Sequence, residues 1–99
     1  MAFQNINTCR SFQLSCNTNL VSLTSQPCSE VIIYNRTGNI LEVYDQGYTA
    51  SDNAFLLSAG DSFVVRGVTD SNQISAKCTS GDGIFCYRTQ FFSNFSHSN

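Results

Sequence analysis

Residues 30–45 read EVIIYNRTGNILEVYD, and the fold class turns on this stretch. Two apolar runs, Val31-Ile32-Ile33-Tyr34 and Ile40-Leu41-Glu42-Val43-Tyr44, flank the polar insert Asn35-Arg36-Thr37-Gly38-Asn39. Both runs are rich in β-branched and aromatic residues and too short for useful helices, so each reads as a strand. The insert carries one Gly and two Asn, which tolerate positive φ, and predicts a β-hairpin closed by a five-residue loop.

The same rhythm runs outward in both directions. Phe12, Leu14 and Cys16 alternate with polar residues and share one face of a strand. Asn17-Thr18-Asn19 reads as a turn, Leu20–Leu23 as a short strand, and Pro27 interrupts pairing in the polar loop that follows. Ala54–Leu57 and Ser62–Val68 read as strands joined by the turn Ser58-Ala59-Gly60-Asp61. Phe63 and Val65 point one way and Val64 the other. Ile74, Ala76 and Cys78 share an inner face, and Gly81-Asp82-Gly83 reads as a hairpin turn into a last strand over 84–92. The count is seven or eight short strands with no helical pattern. It predicts an all-β fold, an antiparallel β-sandwich or small barrel. The organisation is an N-terminal arm over 1–7, a single sandwich domain over 8–92 and a polar tail over 93–99.

The composition narrows function by exclusion. The chain has 99 residues, 12% of them charged, a net charge of −2 and an isoelectric point near 4.9. Arg10, Arg36, Arg66, Lys77 and Arg88 are scattered singly, without the basic face a nucleic-acid binder needs. No run approaches the roughly 20 apolar residues that span a bilayer, and the N-terminus lacks a signal-peptide pattern. Synthesis is therefore expected in the cytosol, and no membrane partner is expected. The one histidine, His97, lies in the tail where no second group orients it, so histidine-dependent catalysis is not expected. Five of the seven carboxylates fall in predicted turns or loops, which accounts for them without chemistry. The chain reads as a non-enzyme with no cofactor.

Cys9, Cys16, Cys28, Cys78 and Cys86 stand out in so short a chain. Their separations of seven, twelve, fifty and eight residues match no paired zinc spacing. They read as buried thiols or as disulfides. A hairpin centred on Asp82 places Cys78 opposite Cys86 as a cross-strand bridge. Cys28 lies where Cys9 or Cys16 is able to tie the N-terminal strand to the main hairpin. An odd number leaves one thiol free or shared between chains. The cysteine content fits a working life outside the cytosol, such as in a virus particle. Phe91, Phe92 and Phe95 exceed what a closing strand needs, and they read either as a contact with another chain or as residues buried by neighbouring loops.

From residue 28 to 92 the order of turns and strands (VIIYNRTGNILEVYD, AFLLSAGDSFVVRGV, ISAKCTSGDGIFCYRTQFF) resembles small β-sandwich virion proteins of tailed bacteriophages, the capsid decoration or cement proteins. The resemblance implies a non-enzymatic protein on the outside of a phage head, bridging copies of the major capsid protein as a dimer or trimer. Its contacts would come from the arm, the 45–53 loop and the aromatic end, with Phe3, Tyr48, Phe91, Phe92 and Phe95 as candidates. The family is usually poor in cysteine, and the five here depart from it. Two other classes remain. A tail or fibre protein would stack host glycans on Tyr44, Tyr48 and Tyr87. A small secreted disulfide-rich module would need its bridges in order to fold.

Overall fold

The computed structural model describes residues 8–44 and 54–91. Eight strands follow in chain order: β1 (Thr8–Cys16), β2 (Val21–Ser22), β3 (Glu30–Tyr34), β4 (Leu41–Tyr44), β5 (Phe55–Leu57), β6 (Ser62–Arg66), β7 (Ser75–Cys78) and β8 (Gly83–Phe91). A 3₁₀ turn at Ser71–Gln73 precedes β7. The strands form two four-stranded sheets, β1-β8-β3-β6 (sheet I) and β2-β7-β4-β5 (sheet II). All their pairings are antiparallel. The expected β-sandwich is present, with the strand order of a jelly roll.

The connections differ from the sequence expectation. Every link between consecutive strands crosses from one sheet to the other, except β4 to β5. The two runs flanking Asn35–Asn39 are therefore β3 in sheet I and β4 in sheet II, an arch across the core and not a hairpin. The same correction applies to 79–82, since β7 pairs with β2 and β4 while β8 pairs with β1 and β3. The turn read at 58–61 is present, and it too crosses between sheets, from β5 to β6.

Asn35 explains the arch. Its side chain is fully buried. Nδ2 donates to the carbonyls of Asn39 at 2.7 Å and Leu57 at 2.8 Å. Oδ1 accepts from the Thr37 amide at 2.9 Å and the Thr37 hydroxyl at 2.7 Å. Its own backbone bonds to the neighbouring arch, Asn35 N to Asp61 O at 2.9 Å and Gly60 N to Asn35 O at 2.8 Å. The amide thus replaces the ladder that the turning chain cannot supply, and satisfies polar groups that would otherwise be buried unpaired. The arch then rests on the one between β7 and β8. Asn39 Nδ2 donates to Asp82 O at 3.2 Å, and a Cβ on Gly83 would sit 2.7 Å from Thr37 Cα and O. Only glycine admits that approach.

Strand periodicity was read correctly where it sets the core. Val31, Ile33, Val65, Phe85 and Tyr87 from sheet I meet Leu41, Val43, Leu57, Ala76 and Cys78 from sheet II, and all are buried. Ile74 completes the inner row expected for β7, and Phe12 and Leu14 of β1 pack on this cluster. Each fully buried large apolar side chain is worth about 1.5–3 kcal/mol, and a one-residue slip would turn a whole row outward. That fixes the register.

The opposite end of the sandwich is closed by Asp70. Its carboxylate accepts from Asn72 N at 3.0 Å, Gln26 N at 3.1 Å and the Ser25 hydroxyl at 3.0 Å, and Gln73 completes a capping box. These donors hold the Asp70 carboxyl below the usual carboxylate range, the Asn72 amide contributing most. Pro27 bridges to Asp70 and does not simply break the pairing. Ser71 Oγ donates to Thr24 O, and Thr24 N donates to the Tyr87 hydroxyl at 2.8 Å.

Replacing Asn35 by Ala removes the partner of the Leu57 carbonyl and of the Thr37 amide, while the Thr37 hydroxyl keeps its bond to the Asn39 carbonyl. We expect a loss of about 2–4 kcal/mol in urea unfolding. Asn35→Asp, which keeps the acceptor but sets a carboxylate oxygen against the Asn39 and Leu57 carbonyls, should recover none of it. A loss under 1 kcal/mol for Asn35→Ala would show that the arch holds without the amide.

Candidate functional site

Alternation along the strands divides the cysteines. The outer face of sheet I carries Cys9, Ser11 and Gln13 from β1, Ile84, Cys86 and Arg88 from β8, Ile32 and Tyr34 from β3, and Val64 from β6. Cys9 is exposed and Cys86 half-buried, whereas Cys16, Cys28 and Cys78 lie in the core. All five are thiols.

The expected Cys78–Cys86 bridge is not formed. Cys78 faces the core from sheet II, and Cys86 lies on the far side of sheet I. A tie from Cys28 to the N-terminal strand is not formed either: Cys9 is exposed on the outer face of sheet I while Cys28 is buried in the core, and Cys16 lies at the wrong end. Cys16 pairs in register with Gly83 at the start of β8, while Glu30, beside Cys28, pairs with Gln90 at its far end. Cys9 shares the outer face with Cys86 but not its neighbourhood. Cys86 is opposite Gln13 and Cys9 opposite Gln90, four residues along the strand and roughly 13 Å away at the rise of a β-strand. A disulfide needs Cα atoms within about 7 Å. These two thiols cannot meet within one chain.

Cys86 sits on a partly apolar surface. Arg36 Nη1 donates toward its sulfur at 3.9 Å. Tyr34 opposite it and Ile84 beside it, with Val64 farther across the same face, are 41–47% exposed. A shallow depression of about 140 Å³, lined by Ser11, Ile32, Tyr34, Cys86, Tyr87 and Arg88, opens beside the sulfur. Partly exposed cysteines beside a cation are the ones that exchange with disulfides. Sequence reasoning missed this patch, although the parity of Ile84 and Cys86 in β8 carries it. Farther along the same face, Glu30 holds Arg66 Nε at 2.7 Å and Gln90 Nε2 at 2.6 Å.

The core thiols differ in kind. Burial pushes the Cys16 thiol up to about 12, with the adjacent Cys78 adding to the rise. Burial also raises Cys28, helped by the charge of Asp70. Among the described residues no three of His, Cys, Asp and Glu cluster as metal ligands.

Of the candidate contact residues, Phe91 ends β8 and is 40% exposed. Phe3, Tyr48, Phe92 and Phe95 lie outside the described residues, as do His97 and Asp45. Two tyrosines expected to stack on sugars are buried, Tyr44 and Tyr87 being 1% and 2% exposed. Tyr87 stacks on Phe12 inside the sandwich, ring centroids 4.9 Å apart. Tyr44 donates to Glu42 Oε1 at 2.6 Å, and Thr79 donates to Glu42 Oε2 at 3.1 Å. The bond to Glu42, more than burial, raises the Tyr44 phenol to about 12.

No family model and no curated protein matches this chain. Among solved structures it is similar to a subunit of Bacillus endospore appendages, which form a family of disulfide-linked pili. The TM-score is 0.52 at 12% identity, over 88% of this chain and 87% of that one. The likeness is one of fold.

Iodoacetamide at pH 8 should label Cys9 and Cys86 in the native protein and spare Cys16, Cys28 and Cys78 until denaturant is added, as read by intact mass and peptide mapping. Tyr44 predicts an alkaline limit. Its folded pKa is raised above the unfolded value of 10, so its contribution is complete below pH 10 and lost as pH rises toward 12. Circular dichroism should show stability falling across pH 10–12, and less steeply in Tyr44→Phe.

Proposed function

We propose that this chain is a non-enzymatic structural subunit that joins copies of itself through disulfides between surface thiols. The observation that carries this reading is the pair Cys9 and Cys86, outside the core, on one face, and too far apart to bond to each other. A bond from Cys9 of one copy to Cys86 of the next is head-to-tail. Such a contact repeats without closing and builds a filament unless its rotation makes a ring. The apolar side chains of Tyr34, Val64 and Ile84 supply the surface that a neighbouring copy would cover, with Arg36 beside the sulfur that exchanges. The fold likeness to a disulfide-linked pilus subunit supports this reading over the other structural roles. Bonds of this kind persist in an oxidising setting outside the cytosol.

Capsid decoration is the second reading, and the strand and turn order over 28–92 favours it. It shares the non-enzymatic, oligomeric character but needs a shell protein as partner and no interchain disulfide.

The full chain is incubated with oxidised glutathione and run on non-reducing gels and by size exclusion with light scattering. Self-linkage predicts a ladder that collapses on reduction and is lost in Cys9→Ser, in Cys86→Ser and in the double variant, whereas dimers in a single variant would show like-with-like bonding and overturn the head-to-tail arrangement. A wild-type chain that remains monomeric after oxidation overturns self-linkage. Stoichiometric co-pelleting of that monomer with phage heads lacking it would then establish the decoration reading.

A further inference from the structure

Two cysteines that neither the surface chemistry nor the sequence spacing pairs are brought together inside the sandwich. Cys16 is the last residue of β1 in sheet I, and Cys78 is the last residue of β7 in sheet II. Both face the core, 4% and 1% exposed, within one cluster. Their backbones are tied as well, because Cys78 N donates to the carbonyl of Asn17 at 2.7 Å. The side chain of Cys78 lies against the Cys16 thiol closely enough to shift its acidity. Cys28, the third core cysteine, is at the opposite end, held by Thr69 O. One member of the pair has access from outside: Cys16 forms part of the wall of a depression of about 330 Å³ bounded by Asn17, Val21, Asp82, Gly83 and Ile84.

We propose that Cys16 and Cys78 form an intrachain disulfide site that clasps the two sheets together at the end of the sandwich where the arches meet. The proposal does not rest on self-linkage, since neither thiol lies on the surface that would cross-link copies. The oxidant is a small-molecule disulfide. One core thiol, as its thiolate, attacks a sulfur of the oxidant and expels the first small thiol. The second core thiol loses its proton and attacks the protein sulfur of that mixed disulfide, expelling the second small thiol. Two protein thiols are thus oxidised to one disulfide, and one small disulfide is reduced to two thiols.

The closed loop spans 62 residues in sequence from Cys16 to Cys78. Constraining so long a loop in the unfolded chain should raise Tm by on the order of 10–20 °C. Oxidation should be slow at neutral pH, because the deprotonated form of Cys16 is scarce. Where that thiolate is the attacking group, the rate should grow about tenfold per pH unit between pH 7 and 9.

The test uses the full chain carrying Cys9→Ser and Cys86→Ser, so that surface exchange is removed. It is incubated with oxidised glutathione at pH 8.5 and followed by intact mass, non-reducing peptide mapping and thermal melting. The expected product is two hydrogens lighter, monomeric, joined through the Cys16 and Cys78 peptides, and melts higher by the stated shift. Reduction should restore both mass and Tm. Adding Cys28→Ala should leave the bond intact if the variant folds, and the double-variant chemistry decides the matter whether or not it does. A stable glutathione adduct on Cys16, a bond involving Cys28, or two thiols still free after prolonged oxidation of folded protein would each overturn the proposal.

Discussion

One buried amide holds the topology. Asn35 lies where the chain leaves sheet I for sheet II, and a chain crossing the core there must leave the ladder. Its four side-chain hydrogen bonds replace that ladder, joining the 35–39 arch to Leu57. Two further backbone bonds join it to the 58–61 arch. Unpaired buried donors and acceptors cost more than a made hydrogen bond returns. Asn35 therefore acts mainly by excluding alternatives: with it inside, the hairpin that the same residues could form leaves its amide without carbonyls to bond. Gly83 extends the constraint, because the Thr37 backbone occupies the space any side chain at 83 would need.

Crossing links have a consequence for function. Because nearly every turn carries the chain to the other sheet, residues close in sequence end on different faces, and residues far apart meet. Cys78 and Cys86 are separated by eight positions and by the thickness of sheet I. Cys16 and Cys78 are separated by most of the domain and share one end of the core. The same arrangement strips sheet I of any described cover, so the outer sides of Tyr34, Val64, Ile84 and Cys86 remain as surface.

Strand existence and strand faces were legible because both follow from a period of two, which each strand states locally. Phe63 and Val65 against Val64, and Ile74, Ala76 and Cys78 together, needed no knowledge of the partner strand. Partner choice was not legible. An Asn-x-Thr-Gly insert supplies positive φ at Gly38 (79°) equally to a hairpin and to an arch. What separates the two is whether the Asn side chain is buried, and that depends on Leu57, twenty-two residues away. The cysteine pairing failed for this reason alone. The tyrosines failed differently. Tyr44 and Glu42 alternate out of phase with Leu41 and Val43 and so read as surface, yet they are buried on the outer side of sheet II, where they bond each other.

The two classes of thiol suit different tasks. A bond made at Cys86 draws on side chains the core does not use, so it can form or break between copies while the sandwich keeps its packing. A bond made at Cys16 and Cys78 acts on the sandwich itself, at the end where the arches are held by one amide and one close glycine contact. An extended assembly transmits load through each subunit in turn, and a cross-link between copies is only as durable as the fold between its two anchor points. Cys9 and Cys86 both lie in sheet I, on the adjacent strands β1 and β8, whose nine residue pairs would carry the load of such a cross-link directly. Sheet II is off this path and is joined to sheet I by packing and by the crossing links. It is the part that could peel away, and the core cysteines sit where a covalent tie would prevent it.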